Sequence, residues 1–214
     1  MMFASREDAG RKLGRCLQDQ RVRADLVLGL PRGGVVVAAG VARALRLPLS
    51  TLIVRKIGHP WHREFAVGAL AEQDVVVLDE TAVGPDPMVR AELEEIIREE
   101  KERLSSYRAT FHLRGAPELK GKAVLLVDDG LATGATTEAA VLSARKQQAA
   151  AVSVAAPVAS TNAVERLARI ADEVRVLCVD PAFDAVGRYY DVFSQTTDEE
   201  VLEVLRAAGK MRDA

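Results

Sequence analysis

The chain has 214 residues, which at roughly 150 residues per domain points to one enlarged domain rather than two. Apolar residues make up 49% and charged residues 28%, with a formal net charge of -2; that balance excludes disordered and fibrous classes, and it argues against nucleic acid as a partner, because binding along a duplex needs a basic face. No run of 18 apolar residues and no signal-like start occurs, so no membrane partner is expected and the chain reads as cytoplasmic, with Cys16 and Cys178 as separate reduced thiols.

A Ser-Arg-Glu-Asp opening predicts a capped amphipathic helix over 5–18. Residues 26–28 form a brief apolar run that ends at Gly29-Leu30-Pro31-Arg32-Gly33-Gly34, and the Ala/Val-rich segment 35–45 is long enough for a helix. The pattern is strand, glycine turn, helix. A second apolar run, 49–54, ends in Arg55-Lys56, and the polar Gly/Pro-containing stretch 57–65 reads as a loop. Residues 75–78 give a further short strand. Pro87 then opens a charged helix of about 20 residues with Val89, Leu93, Ile96, Ile97 and Leu104 at helical spacing.

Strands are predicted at 124–127, 152–156 and 174–179, and helices at 138–148 and 161–170. Thr197-Asp198-Glu199-Glu200 caps a last helix to about residue 208. Apolar runs alternating with helices predict an α/β fold, a doubly wound and mainly parallel sheet covered on both faces. The expected organisation is a single domain: a core over 20–180, a loop and helical insertion over 57–115, and a C-terminal hood over 180–214. Ligands of such sheets bind outside the carboxyl ends of the strands. Residues 31–34, Arg55-Lys56 and 128–137 are expected there.

The most specific feature is Val124-Leu125-Leu126-Val127-Asp128-Asp129-Gly130-Leu131-Ala132-Thr133-Gly134-Ala135-Thr136-Thr137. A hydrophobic strand delivers two carboxylates to a sheet edge, and a turn of small residues opens a helix whose backbone N–H groups and dipole favour an anion. Ala132, Gly134 and Ala135 let a phosphate reach the backbone, while Thr133, Thr136 and Thr137 add hydroxyl donors. Ionised acids beside a phosphate cradle suit a sugar phosphate, since they accept hydrogen bonds from vicinal hydroxyls. The P-loop lysine and the three-glycine dinucleotide fingerprint are both missing from this run.

This run resembles the phosphoribosyl pyrophosphate motif of type I phosphoribosyltransferases. The resemblance implies that Asp128 and Asp129 hold the ribose hydroxyls, and that Ala132, Thr133, Gly134, Ala135, Thr136 and Thr137 hold the 5′-phosphate. Arg32, Gly33 and Gly34 look like the family's pyrophosphate loop, where a strained, often cis, peptide is implied. Arg55 and Lys56, with the polar stretch after them, resemble the mobile catalytic loop of orotate-type members, Lys56 meeting the pyrophosphate. His59 and His62 lack metal-ligand partners at convincing spacing.

Near the carboxyl end, Phe183-Asp184-Ala185-Val186-Gly187-Arg188-Tyr189-Tyr190 is similar to the base-stacking region of purine-salvage members, with the spacing altered by one residue. Phe183 is the first candidate for an acceptor contact and Val186 the second. The resemblance further implies Mg²⁺ as cofactor, phosphoribosyl pyrophosphate and a small nitrogen acceptor as partners, and a homodimer. Two departures separate the chain from named activities. Ala132 stands where purine-salvage enzymes carry an acid, and Asp129 is a second acid that uracil-specific members lack. The expected activity is phosphoribosyl transfer; a sensor of phosphoribosyl pyrophosphate or a nucleotide, acting through a protein partner, is the alternative. A metal-dependent hydrolase is disfavoured because adjacent strand residues point to opposite faces.

Overall fold

In the computed structural model, which describes residues 2–210, the apolar runs become eight strands: β1 (Leu26–Gly29), β2 (Leu49–Thr51), β3 (Val54–His59), β4 (His62–Ala71), β5 (Val75–Leu78), β6 (Ala123–Val127), β7 (Ala151–Ser160) and β8 (Glu173–Asp180). The helices are α1 (Arg6–Asp19), α2 (Gly33–Leu45), α3 (Glu80–Val83), α4 (Pro87–Phe111), α5 (Ala135–Lys146), α6 (Thr161–Leu167) and α7 (Asp198–Lys210). A 3₁₀ turn, Val186–Tyr189, precedes α7. Among the described residues no helix is long and apolar enough to cross a membrane.

Five strands form a parallel sheet in the order β2-β1-β6-β7-β8. The chain winds outward in both directions from the β1/β6 pair, which makes that seam the topological switch point, where the loops leaving the two strands diverge and open a crevice. Side chains alternate across the seam. Leu26, Leu28, Val124 and Leu126 pack with Ala139, Ala140 and Ala144 of α5, whereas Val27, Leu125 and Val127 pack with Leu13, Leu17, Val37 and Val41 of α1 and α2. The alanine-rich helices are a consequence of close approach. At the α1/α2 crossing a Cβ on Gly10 would lie 2.6 Å from the Val37 carbonyl oxygen, so only glycine fits.

Two expectations are corrected. The stretch 57–65 is not a loop: β3 and β4 form an antiparallel hairpin through it, with irregular pairing around Gly58, and β5 adds a third strand to make a separate sheet β3-β4-β5. Its outer part, His62 to Ala66, is exposed, while Val67 to Ala71 is buried, which is why polar composition disguised it. The apolar run 49–54 is likewise two elements. β2 ends at Thr51 and β3 begins at Val54, so Arg55 and Lys56 lie within a strand of the second sheet.

The helix expected from Pro87 is α4, extended to Phe111. Val89, Leu93, Ile96, Leu104 and Phe111 bury against Ile53, Ile57, Val67 and Leu70 in a satellite core. The expected capping box is present before α7: Glu200 N–H donates to Thr197 Oγ1 at 3.1 Å and Thr197 N–H donates to Glu200 Oε2 at 2.8 Å.

Candidate functional site

The crevice at the switch point is a cavity of about 450 Å³ lined by the β1–α2 loop, Lys56 of β3, the β6–α5 loop and the hood. Local sequence explains its shape. β1 ends at Gly29 and α2 starts at Gly33, leaving Leu30, Pro31 and Arg32 to turn the chain over the strand end; the Pro31–Arg32 peptide is cis. β6 ends at Val127, and Gly134, with φ of +77°, reverses the backbone into α5. A side chain at that φ is strained.

The two helices that begin at this cavity differ from the other α-helices. Side chains cap α1 (Ser5), α3 (Asp79), α4 (Asp86) and α6 (Ser160), and Thr197 caps α7. In contrast, α2 and α5 have no side-chain cap bond. Ala135 N–H meets Thr133 Oγ1 at 3.4 Å and Val35 N–H meets the Arg32 carbonyl at 3.1 Å; the other first-turn N–H groups and the positive dipole ends of α2 and α5 suit an anion. Arg32 and Lys56 add full positive charges, Arg32 lying 3.7 Å from Asp198 at the start of α7.

Asp128 and Asp129 follow the last strand residue, and both line the cavity. The strict alternation used to set them on opposite faces does not apply beyond Val127. Asp129 N–H donates to Asp128 Oδ1 at 2.9 Å. Burial pushes the Asp128 carboxyl up to about 8, the adjacent Asp129 charge adds to the rise, and Lys56 opposes it. Asp129 is instead compensated by the Arg6 guanidinium, which donates to its Oδ2 at 2.7 Å. The pair is thus divided into an acid that resists ionisation and a carboxylate held by a cation.

Of the residues expected at the site, Arg32, Gly33, Lys56, Asp128, Asp129, Ala132, Thr133, Gly134, Thr136, Thr137 and Val186 line the cavity. Gly34 and Ala135 are not lining residues, although Gly34 is indispensable nearby: a Cβ there would lie 2.9 Å from Asp128 Oδ1. Arg55 is turned away. Its Nε donates to buried Glu100 of α4 at 2.8 Å and its guanidinium lies over the Tyr107 ring, because alternation along β3 sends it to the face opposite Lys56. Phe183 stacks on Tyr189, with centroids 5.4 Å apart, and does not reach the cavity.

The ring that does line it is Phe193, beside Ala185, Val186 and Gly187. Gly187 lets it close in, since a Cβ there would be 3.0 Å from the Phe193 ring. Phe193 was visible in the sequence as one of several hood aromatics. Arg6 carried no signal, as it stands 123 positions from its carboxylate partner.

A family model described as the phosphoribosyl transferase domain matches residues 4–192. A Mycobacterium tuberculosis H37Rv protein, provisionally named as a phosphoribosyl transferase, is 42% identical over 209 residues, covering 97% of this chain and 47% of its own. The chain spans about half the length of the curated relatives it matches. The crystal structure of TT1426 from Thermus thermophilus shares 42% identity at a TM-score of 0.76, over 96% of this chain and 98% of that one. The AQ2163 protein from Aquifex aeolicus, 14% identical at a TM-score of 0.50 over 94% and 85% of the two chains, shares the fold.

Proposed function

The chain belongs to the phosphoribosyl transferase domain family, and from that premise we propose that it moves ribose 5-phosphate from Mg-phosphoribosyl pyrophosphate to a nitrogen acceptor, a nucleobase being the favoured class, with release of pyrophosphate. One observation carries the reading: two uncapped helix starts, two cations and an acid pair converge on a single cavity at the switch point of the parallel sheet. Each is suited to a different part of the donor. Ala132 to Thr137 cradle the 5′-phosphate; Asp128 and Asp129 accept hydrogen bonds from the ribose hydroxyls; Arg32, Gly33 and Lys56 meet the pyrophosphate.

The acid pair fits a divalent cation held largely through water, because a nearby positive charge would relieve the burial that raises Asp128. Bound Mg²⁺ supplies charge neutralisation on the pyrophosphate. Among the described residues no group of three or more His, Cys, Asp or Glu side chains converges as a metal cage, so the ion's remaining ligands would come from donor oxygens. The protein's own work is placement and electrostatics. Arg32, Lys56 and the α2 N–H groups stabilise the electron pair that departs with pyrophosphate as its bond to the anomeric carbon breaks. The acceptor lone pair then closes on the oxocarbenium-like sugar, held by its phosphate and hydroxyls, and the acceptor's N–H proton leaves with the pyrophosphate. The hood residues Ala185, Val186, Gly187 and Phe193 wall one side of the cavity, where they restrict water.

A second reading has a specific observation in its favour. Ala185, Val186, Gly187 and Phe193 line the hood side of the cavity and Ala132 lies in the phosphate loop, so none of these positions offers an acid or base for the acceptor's proton. A sensor of phosphoribosyl pyrophosphate or a nucleotide, signalling to a protein partner, would need none. Pyrophosphate release with Mg²⁺, screened against purines, pyrimidines and simple amines, separates the two. Release with one acceptor class is expected. Tight binding of Mg-phosphoribosyl pyrophosphate with no release across the panel would transfer the assignment to the sensor, and lack of binding would overturn both.

A further inference from the structure

The guanidinium of Arg6 has three contacts at once. Nε donates to Asp129 Oδ2 at 2.7 Å, Nη1 donates to the Ser194 carbonyl at 2.7 Å, and the carbon between them lies 3.9 Å from the centroid of the Phe193 ring. The side chain is only 11% exposed. A planar fork donates edge-on to two acceptors while its flat face stacks on a ring; an ammonium presents its donors from a single nitrogen and has no plane to stack.

Both ends of this arrangement are fixed by other parts of the chain. Arg6 is the first residue of α1, and the segment before it is joined to the hood: Phe3 N–H donates to the Tyr189 carbonyl, and Asp191 N–H to the Phe3 carbonyl, each at 2.8 Å. Tyr190 Oη–H donates to the Asp129 carbonyl at 2.6 Å. Gly33 supplies the room, since a Cβ there would lie 2.5 Å from Arg6 Nε and upon the Asp129 carboxylate. Asp129 is therefore held by side chain and backbone alike. With Oδ2 taken by the guanidinium, Oδ1 remains for a ligand hydroxyl.

We propose that Arg6 is a positioning residue that makes the site selective for the sugar: it sets the Asp129 carboxylate for a ribose hydroxyl and ties that subsite to the Phe193 wall of the hood. The proposal rests on the ribose-phosphate reading of the cavity. Among the described residues no hydrogen bond or ion pair joins Arg6, Asp129 or Phe193 to the α5 turn at 132–137, so sugar recognition and phosphate recognition are separable. Losing Arg6 frees the carboxylate to rotate and leaves its charge uncompensated beside Asp128.

The test is calorimetric titration of the full chain with ribose 5-phosphate and, separately, with inorganic phosphate. The parent is expected to prefer ribose 5-phosphate. Arg6→Gln should lose about tenfold or more of that affinity, equivalent to one charged hydrogen bond, while inorganic phosphate binds within about twofold of the parent. Arg6→Lys, which keeps the charge but not the fork, should show the same split and serves where the glutamine variant folds poorly. In an Asp129→Asn background, Arg6→Gln should change ribose 5-phosphate affinity by less than about twofold. An unchanged ribose 5-phosphate affinity, an equal loss for both ligands, or an undiminished effect in the Asp129→Asn background would overturn the positioning role. A parent that does not distinguish the two ligands would instead overturn the ribose-phosphate reading itself.

Discussion

Asp128→Asn should make the free protein more stable in mild alkali while depriving it of its ligand. The carboxyl sits at the strand end with Asp129 next to it, and burial followed by that charge raises it from an ordinary 3.8 to about 8. In the unfolded chain it ionises near 4. Between those values the folded state binds the proton and the unfolded state does not, so stability falls as pH rises from about 4 to about 8 and then levels. Each pH unit by which folded ionisation lags costs about 1.4 kcal/mol. Because the cavity that Asp128 lines admits water, which screens part of that cost, about 2 kcal/mol is the reasonable expectation. Asparagine removes it and keeps the 2.9 Å bond from Asp129 N–H, since its Oδ1 still accepts. For a chain of this size about 2 kcal/mol corresponds to a Tm rise of roughly 4–8 °C. Thermal melts of parent and variant at about pH 3.5 and about pH 8.5 measure it: the curves should draw together at the acid end, where the carboxyl is largely protonated folded and unfolded alike, and separate at the alkaline end. A difference that is the same at both pH values, or a lower Tm for the variant in alkali, would refute the assignment of a strained acid. Above about pH 8, where the parent carboxyl is ionised, the same variant should bind ribose 5-phosphate at least about tenfold more weakly, because an amide offers the hydroxyls a poorer acceptor than a carboxylate.

Gly134→Val places a branched side chain at φ +77° against Ala163, which should cost roughly 1–3 kcal/mol of stability and remove phosphate binding altogether; melts and calorimetry on the same preparation separate the two effects. Lys56→Ala should leave the melt within a degree or two, since the side chain lines the cavity, yet slow pyrophosphate release at least about a hundredfold. Arg55→Ala should do the reverse: it strips a partner from Glu100, which is only 5% exposed and retains Arg103, costing about 1–2 kcal/mol with pyrophosphate release unchanged in turnover per folded molecule.

The parallel sheet and the turn from Asp128 to Gly134 that opens α5 were legible in the chain because both are local. Apolar runs with flanking turns mark strands, and Val124 to Thr137 holds strand end, acids and helix start within one continuous segment. Alternation along a strand was just as legible in principle. It would have separated Lys56 from Arg55 had residues 54–59 been read as one strand, and their polar composition concealed that. The hairpin escaped for the same reason: its outer half projects into solvent, so no buried face imprints a period of two on the sequence.

What residue order determined by itself is the make-up of the short segments: a turn of small residues opening a helix, a pair of acids before it, a glycine turn with an arginine. Tertiary structure alone decided which of those groups share one cavity, sending Arg55 to α4 and Phe183 to Tyr189, and bringing Phe193 and Arg6 in. It also decided that the two acids are unequal. Asp129 has a guanidinium from a residue 123 positions away, whereas Asp128 is dominated by burial, which Lys56 and the Asp129 N–H only partly offset; the difference arises because residues Phe3 and Ala4 hydrogen-bond to the hood, a pairing that depends on chain folding and has no counterpart in sequence spacing.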